Sequence, residues 1–191
     1  FRSRDRLIKK VSFLYLKNFR RMDEQSISFD HTFKYIHKKN NGRIARIKNE
    51  DNPGIKSVPN FYGRKVYSLT CLVGKNGAGK TSITDFLHDI FIPLKNYIDA
   101  GLISFQEIIH ISRMLRNNSD ELNDGNVLDD KIDIYERLGL DSKCEFIIVF
   151  KIGSRSYYLT NIDGIKVNEN EGIEPYDEPD KGGHGAQTMQ F

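Results

Sequence analysis

The chain has 191 residues, of which 38% are hydrophobic and 29% are charged, and this length suffices for one domain with a hydrophobic core. No apolar run approaches the roughly 18 residues that a membrane span requires, so we expect no membrane segment. Residues 1–95 carry 20 Lys and Arg against 8 Asp and Glu, whereas residues 96–191 carry 9 against 18. A basic half attracts phosphate, of a nucleotide or of a nucleic-acid backbone, and a solvated surface without an anionic partner is the alternative.

The N-terminal part indicates two strands followed by an irregular segment. Leu7–Phe19 and Gln25–Phe29 are rich in β-branched and aromatic residues, a pattern typical of strands. The short polar turn between them predicts an antiparallel pair. Residues 31–65 are polar and basic, with Gly, Asn and Pro as breakers, and we interpret them as a long, partly mobile surface insertion.

The middle of the chain predicts a strand, a glycine loop and two helices. Val66–Val73 is expected to be a strand that leads directly into the loop. After the loop, apolar residues at spacings of three and four predict a helix with one buried face; they are Ile83, Phe86, Leu87, Ile90, Phe91 and Leu94. Pro93 is expected to bend or end this helix. Ser104 and Glu107 form a capping box that predicts the start of the second helix.

The C-terminal part predicts further short elements. The stretch DDKIDIYERLGL indicates a short helix, and CEFIIVFKIG, SRSYYLTNI and GIKVN indicate three strands joined by turns at Gly153–Ser154 and Asp163–Gly164. Residues 169–187 are acidic and rich in Pro and Gly, which predicts a loop or a disordered segment. Cys71 and Cys144 lie in apolar runs without a CxxC partner, and we interpret both as reduced core thiols of a cytoplasmic protein.

The segment GKNGAGKT, residues 74–81, matches G-x-x-x-x-G-K-[ST], the P-loop or Walker A motif, at every defined position. Glycines allow a backbone to wrap around a phosphate, and N–H groups at a helix start attract the anion. Loop residues Gly74, Lys75, Asn76, Gly77, Ala78 and Gly79 are therefore predicted to bind the phosphates of a nucleotide. Lys80 is expected to contact the β and γ phosphates, Thr81 to bind Mg²⁺ and Ser82 to contact a phosphate oxygen. The alternative is a chance glycine turn.

The residues around this motif narrow the class of nucleotide-binding protein. The Asn-Lys-x-Asp motif with which GTPases recognise guanine is absent. The stretch LYLKNFRRMDEQSISFDHTF, followed by an insertion and by LTCLVGKNGAGKTSITDFL, resembles the opening lobe of the SMC/RecF/RecN-like ATPases, a branch of the ABC-type ATPases. The resemblance covers about residues 7–91, and 144–168 fit more loosely. Bacterial antiphage ATPases of the Septu, retron-associated and OLD types share this opening, and the long insertion resembles them more than it resembles a chromosome-organising protein.

The resemblance implies the fold, the cofactors and further roles for individual residues. It implies an α/β P-loop NTPase lobe with an antiparallel β subdomain and helices, with ATP and Mg²⁺ as cofactors. Arg20 would lie near the adenine or ribose of ATP, although a plain surface arginine is the alternative. Asn76 would contact the γ-phosphate or the attacking water, and with Lys80 it forms the expected catalytic set.

Parts of the family's catalytic set are not recognisable. ATP hydrolysis in this class needs Asp-Glu after an apolar strand, and no such pair or serine-glycine signature is present. Gln187, Gln190 and Gln106 are candidates for the glutamine that senses Mg²⁺, and an ordinary polar role is the alternative for each.

The five histidines have no metal-ligand spacing. The aromatic pairs Tyr157-Tyr158 and Phe61-Tyr62 could stack on bases, with packing as the alternative.

The sequence therefore predicts the N-terminal lobe of a larger cytoplasmic ATPase whose second lobe is absent from residues 1–191. We expect ATP-driven, head-to-head dimerisation that controls DNA binding or an associated nuclease or effector in DNA maintenance or antiphage defence. A non-hydrolysing regulatory module that binds ATP is an alternative from a different class. The nucleotide-binding subunit of a transporter fits less well, because the Asn-Phe-Arg opening and the insertion do not suit it.

Overall fold

The fold is mixed α/β. The computed structural model describes residues 8–30, 32–38, 42–48, 70–75, 77–117, 129–140, 143–167 and 171–177. Its main sheet has five strands in the order β2-β1-β5-β6-β8, and these strands pair antiparallel except for β6 and β8, which are parallel. The strands are β1 (Ile8–Phe19), β2 (Met22–Ser28), β5 (Glu145–Ile152), β6 (Arg155–Thr160) and β8 (Ile173–Pro175). No helix of the described residues is long and apolar enough to cross a membrane.

The predicted pair of N-terminal strands is confirmed, and so is the predicted turn between β5 and β6. β1 and β2 pair antiparallel up to the partners Phe19 and Met22, so that Arg20 and Arg21 form a two-residue turn. β5 is the central strand and is apolar from Phe146 to Phe150, all of them buried, as expected for a strand with packing on both faces.

A second sheet of three strands overturns the prediction that residues 31–65 are irregular. β3 (Phe33–Lys38) and β4 (Arg43–Lys48) form an antiparallel hairpin, and β7 (Lys166–Val167) adds to β4 in parallel. The many charges of this segment conceal an alternating pattern, in which Tyr35 and Ile44 are buried. Residues 49–65, including Phe61-Tyr62, lie outside the described part of the chain.

The position of β7 also shows that the hairpin predicted at Asp163–Gly164 is wrong. β7 does not return along β6 but crosses to β4, where the Lys166 N–H donates to the Gly42 carbonyl over 2.8 Å. A Cβ on Gly42, whose φ is +60°, would lie 2.8 Å from the Gly164 carbonyl oxygen. Two glycines thus allow the β3–β4 turn and the β6–β7 connection to approach closely.

The helix predicted after the glycine loop is confirmed, but Pro93 does not end it. α1 (Lys80–Asp85), a π-helical segment (Phe86–Phe91) and α2 (Ile92–Asp99) follow one another without a break. The Ile92 N–H bonds to the Leu87 carbonyl, five residues back. Pro93 therefore lies in the first turn of α2, where the N–H that proline lacks is not required. The predicted buried face is present, with Leu87 only partly buried.

The other two predicted helices are also confirmed. α3 (Phe105–Asn117) begins with the capping box, in which the Ser104 N–H donates to the Glu107 carboxylate over 2.7 Å and the Glu107 N–H donates to Ser104 Oγ over 3.2 Å. α4 (Asp129–Arg137) is linked to α3 by the ion pair of Lys131 with Glu107.

Aromatic side chains connect the helices to the main sheet. The Phe91 ring lies 5.0 Å from that of Phe150, and the Tyr176 ring lies 5.2 Å from Phe150 and 5.4 Å from Tyr157. Tyr157 and Tyr158 are both buried, which favours packing over base stacking. The prediction of an irregular tail is wrong for β8, because Ile173 is buried among its acidic neighbours; residues 178–191 lie outside the described part.

The two cysteines differ. Cys144 is buried, as predicted for a core thiol, whereas Cys71 is exposed, so the core interpretation of Cys71 is wrong. Cys71 precedes the glycine loop in a segment that has no strand among the described residues.

Asp30 follows β2, and its buried carboxylate forms ionic contacts with two neighbouring strands of the main sheet, β1 and β5. Its carboxylate lies 3.1 Å from Lys10 of β1 and 3.8 Å from Lys151 of β5, and it accepts the Thr32 N–H over 3.0 Å. Burial by itself raises the pKa of Asp30, but the Thr32 N–H and the two ammonium groups outweigh it and hold the pKa below its ordinary value.

Asp30→Asn should therefore destabilise the protein in a pH-dependent way. A lowered folded-state pKa contributes stability above the unfolded-state pKa of about 4, and this contribution is lost as the pH falls through the folded-state value. We expect a loss of about 2 kcal/mol in the free energy of unfolding at pH 7 and a smaller difference at pH 3, measured by urea unfolding. An equal loss at both pH values would contradict the ionic role.

Candidate functional site

The described residues of the glycine loop form a tight turn before the helix. Gly77 and Gly79 have φ values of 82° and 81°, in the left-handed region that glycine adopts readily. The Ala78 N–H donates to the Lys75 carbonyl over 3.2 Å, and α1 begins at Lys80. Asn76 lies outside the described residues. A tight turn thus leads directly into a helix N-terminus.

Gly79 is also required by a close neighbour from the main sheet. A Cβ placed on Gly79 would lie 3.1 Å from Sδ and 3.2 Å from Cγ of Met22, and Met22 is buried at the start of β2. The turn between β1 and β2 therefore packs directly against the last residue of the loop. Any rearrangement of the loop must be accommodated by this turn.

Gly79→Ala should reduce both stability and nucleotide binding. The left-handed φ costs about 1–2 kcal/mol for a residue with a Cβ, and Met22 must also shift. Gly101→Ala is the matched control, because Gly101 has φ +70° with nothing within 4 Å of its Cβ position. Thermal unfolding and calorimetric titration should show that both variants lose stability but that only Gly79→Ala loses nucleotide affinity. Equal nucleotide affinity of the two variants would contradict a role for the loop.

The Lys80 side chain folds back over the loop. Its Nζ donates to the carbonyl oxygens of Gly74 over 2.6 Å and of Lys75 over 2.7 Å. An ammonium group has three donors, so these two bonds leave one for a ligand. The two carbonyl groups hold the positive charge beside the turn that precedes the helix.

The first turn of α1 adds to the positive potential. It contains no acidic residue, so no carboxylate within this turn neutralises the partial charge at the helix N-terminus. Thr81 is exposed, and Ser82 is half-buried. The Thr84 hydroxyl donates to the Thr81 backbone carbonyl over 2.8 Å. Backbone N–H groups, the Lys80 ammonium group and the hydroxyl groups of Thr81 and Ser82 thus belong to one short segment. Such a set of groups can bind an anion together with a cation that the anion carries.

The strand predicted before the loop is not present in its described part. Residues 70–74 have no strand assignment, and Val73 is 87% exposed; residues 66–69 lie outside the described part. An apolar segment becomes a strand only by pairing, and no strand of the described sheets pairs with it. The prediction for Thr70–Val73 is therefore wrong for this structure.

Arg20 lies beside the helix that begins at the loop. Its guanidinium forms an ion pair with the Asp85 carboxylate at the end of α1, and it lies 5.4 Å from the centroid of the Phe19 ring. The Arg20 side chain is 50% exposed. The structure thus brings Arg20 to the same helix as Lys80 and Thr81, a contact that the sequence did not predict because the partner is 65 positions away.

The remaining candidates stand apart from this site. Gln106 is exposed in the first turn of α3, and Gln187 and Gln190 lie outside the described residues. The apolar strand β5 ends in Lys151-Ile152 rather than in an acidic pair. Within the described ranges, no group of three or more His, Cys, Asp or Glu side chains could hold a metal ion.

The sequence did not predict a cavity of about 390 Å³ at the surface of the main sheet. Gly42 of the β3–β4 hairpin and residues 162–165 form part of its lining. Lys17 and Glu145, which line it, form an ion pair of 2.9 Å, and Asp163 pairs with Arg113 over 2.6 Å. Burial, together with the carboxylates of Glu24 and Glu145, raises the pKa of Tyr15 to about 12. Since its charges are paired, the cavity gives no preference for an anion.

Comparisons with known proteins do not place the chain in a family. A scan against protein-family models found no family that matches, and searches of curated proteins and of solved structures found no matching protein.

Proposed function

We propose that the chain binds the triphosphate of ATP, together with Mg²⁺, at the glycine loop. The observation that carries this proposal is the loop itself: two left-handed glycines lead into a helix with no acidic residue in its first turn, and the Lys80 ammonium folds over the turn. An anion is the ligand that such a group of donors favours. The spacing of a complete Walker A motif favours a nucleotide over a free anion.

Each residue of the site has a specific role in this proposal. The N–H groups of Gly74, Lys75, Gly77 and Gly79, with that of Asn76, surround the phosphates. The Ala78 N–H, which donates to the Lys75 carbonyl in the structure, turns to the phosphates when a nucleotide binds. Lys80 neutralises the β and γ phosphates, Thr81 binds Mg²⁺, and Ser82 donates to a phosphate oxygen. When bound, Mg²⁺ would neutralise negative charge on the phosphate oxygens.

We further propose that the chain is the N-terminal, P-loop NTPase lobe of a cytoplasmic, SMC-like ABC-type ATPase. The sequence contains no Asp-Glu pair after an apolar strand, so the acid that activates water would come from a second lobe. Nucleotide binding would then promote head-to-head dimerisation and control DNA binding or a nuclease or effector in DNA maintenance or antiphage defence.

This proposal predicts that the 191-residue chain binds MgATP and hydrolyses it negligibly. Isothermal titration calorimetry should give Mg²⁺-dependent binding, and a phosphate-release assay should give a rate indistinguishable from that of Lys80→Ala. Absence of binding would refute the proposed function. Rapid phosphate release that Lys80→Ala abolishes would show that the chain contains its own catalytic acid.

A regulatory module that binds ATP without hydrolysing it is a second candidate, favoured by the absence of the acid pair. An oligomerisation assay on a protein that includes the second lobe distinguishes the ATPase from the regulatory module. If substitution of the catalytic acid in that lobe changes how long the nucleotide-bound dimer persists, the protein is an ATPase. If dimerisation depends on ATP but is insensitive to that substitution, the regulatory reading is correct.

A further inference from the structure

The turn between β1 and β2 contains an arginine where the backbone favours glycine. Arg20 has φ +53°, and Asn18 and Arg20 are the described non-glycine residues with positive φ. In a two-residue hairpin turn, a first central residue with positive φ is preferentially glycine. Any residue with a Cβ is strained there, and strain of this kind is concentrated at functional sites.

This turn contacts the candidate nucleotide site twice. Met22, two residues after Arg20, packs against Gly79 at the end of the loop. The Arg20 guanidinium itself is held by Asp85. Asp85 follows Thr81 by four positions, so the two side chains lie on one face of the helix with Cβ atoms about 6 Å apart. An arginine side chain is long enough to move across one helical turn.

The ion pair is only partly shielded from water. Side-chain exposure is 50% for Arg20 and 26% for Asp85, and exposed ion pairs of this kind are weak. A triphosphate at the start of the helix carries more charge than one carboxylate and binds guanidinium in bidentate fashion. The triphosphate would therefore compete successfully with Asp85 for Arg20.

We propose that Asp85 is a positioning residue that holds Arg20 beside the glycine loop and releases it to the phosphates when a nucleotide binds. This inference rests on the proposed function, since it assigns a further role at the same site. It explains why the strained position carries arginine, and it makes the nucleotide affinity depend on Asp85, a residue that does not itself contact the nucleotide.

A double-mutant cycle on the 191-residue chain tests the proposal by calorimetric titration with MgATP. Asp85→Asn should raise the affinity about 3-fold, because Arg20 no longer has to leave a carboxylate. Arg20→Gln, which keeps the strained backbone but removes the charge, should lower the affinity about 10-fold. In the Arg20→Gln background, Asp85→Asn should have no effect.

Asp89→Asn is the matched control for removal of a negative charge, because Asp89 lies one turn further along the same helix and pairs with His88 instead. It should leave the affinity unchanged. Two results would overturn the inference while leaving the proposed function intact. In the first, Asp85→Asn raises the affinity for MgATP equally with and without Arg20. In the second, the wild type binds MgATP but Asp85→Asn does not raise its affinity. Failure of the wild type to bind would instead refute the proposed function.

Discussion

Lys80→Ala should lower the affinity of the chain for MgATP by at least about 100-fold. The Lys80 ammonium bonds to the carbonyl groups of Gly74 and Lys75, which hold it beside the turn where the phosphates are proposed to bind. Removal of one partner of a close charge pair costs about 2–5 kcal/mol, and 100-fold corresponds to about 2.7 kcal/mol. Titration calorimetry of both proteins under identical Mg²⁺ concentrations measures the difference.

Lys75→Ala is the matched control for this variant. Lys75 belongs to the same loop and carries the same charge, but its side chain is exposed and no defined position of the motif requires it. We expect a loss of affinity of no more than about 5-fold, the size of an exposed ionic contact. Similar losses from both substitutions would mean that the loop attracts anions only through its net charge.

Phe86→Ala should cost about 3–5 kcal/mol in the free energy of unfolding. Phe86 is fully buried, and its ring lies 5.5 Å from that of Phe19 in β1 and 5.3 Å from that of Phe146 in β5. It is the first residue of the π-helical segment, so it fixes the helix that begins at the loop onto the main sheet. The loss is a large fraction of the 5–15 kcal/mol that a typical domain has.

Urea unfolding followed by circular dichroism measures this loss, with Leu87→Ala as the control. Leu87 is the next residue of the same segment and is only partly buried, so its truncation should cost about 1 kcal/mol. Comparable losses from the two substitutions would contradict the packing of this helix against β1 and β5.

The elements that the sequence predicted correctly are those with local signals. The capping box of Ser104 and Glu107 is contained within four residues, and the helical spacing from Ile83 to Leu94 reports one buried face directly. The predicted end of the helix at Pro93 was wrong because the preceding π-helical turn places the proline at a tolerated position. Propensity alone does not reveal such a change of helix type.

The features that the sequence did not predict depend on distant partners. The sequence predicted a strand at residues 164–168, where β7 lies, but not its pairing with β4, and it predicted no strand at β8. β7 and β8 are two and three residues long, and each pairs with a strand from another part of the chain. Conversely, the apolar segment Thr70–Val73 has strong strand propensity but no strand beside it in the described part. At the candidate site, the loop, Lys80 and Thr81 follow from the motif, whereas the contacts of Met22 with Gly79 and of Arg20 with Asp85 required the fold.

The central claim is that backbone N–H groups of the glycine loop and the Lys80 ammonium bind the triphosphate of ATP. The most direct measurement is a two-dimensional NMR titration of the ¹⁵N-labelled chain with MgATP. We predict that the largest amide shifts occur within residues 74–82 and are absent in Lys80→Ala. Unchanged loop amides at saturating MgATP, or shifts confined to the cavity beside Tyr15 and Lys17, would contradict the claim.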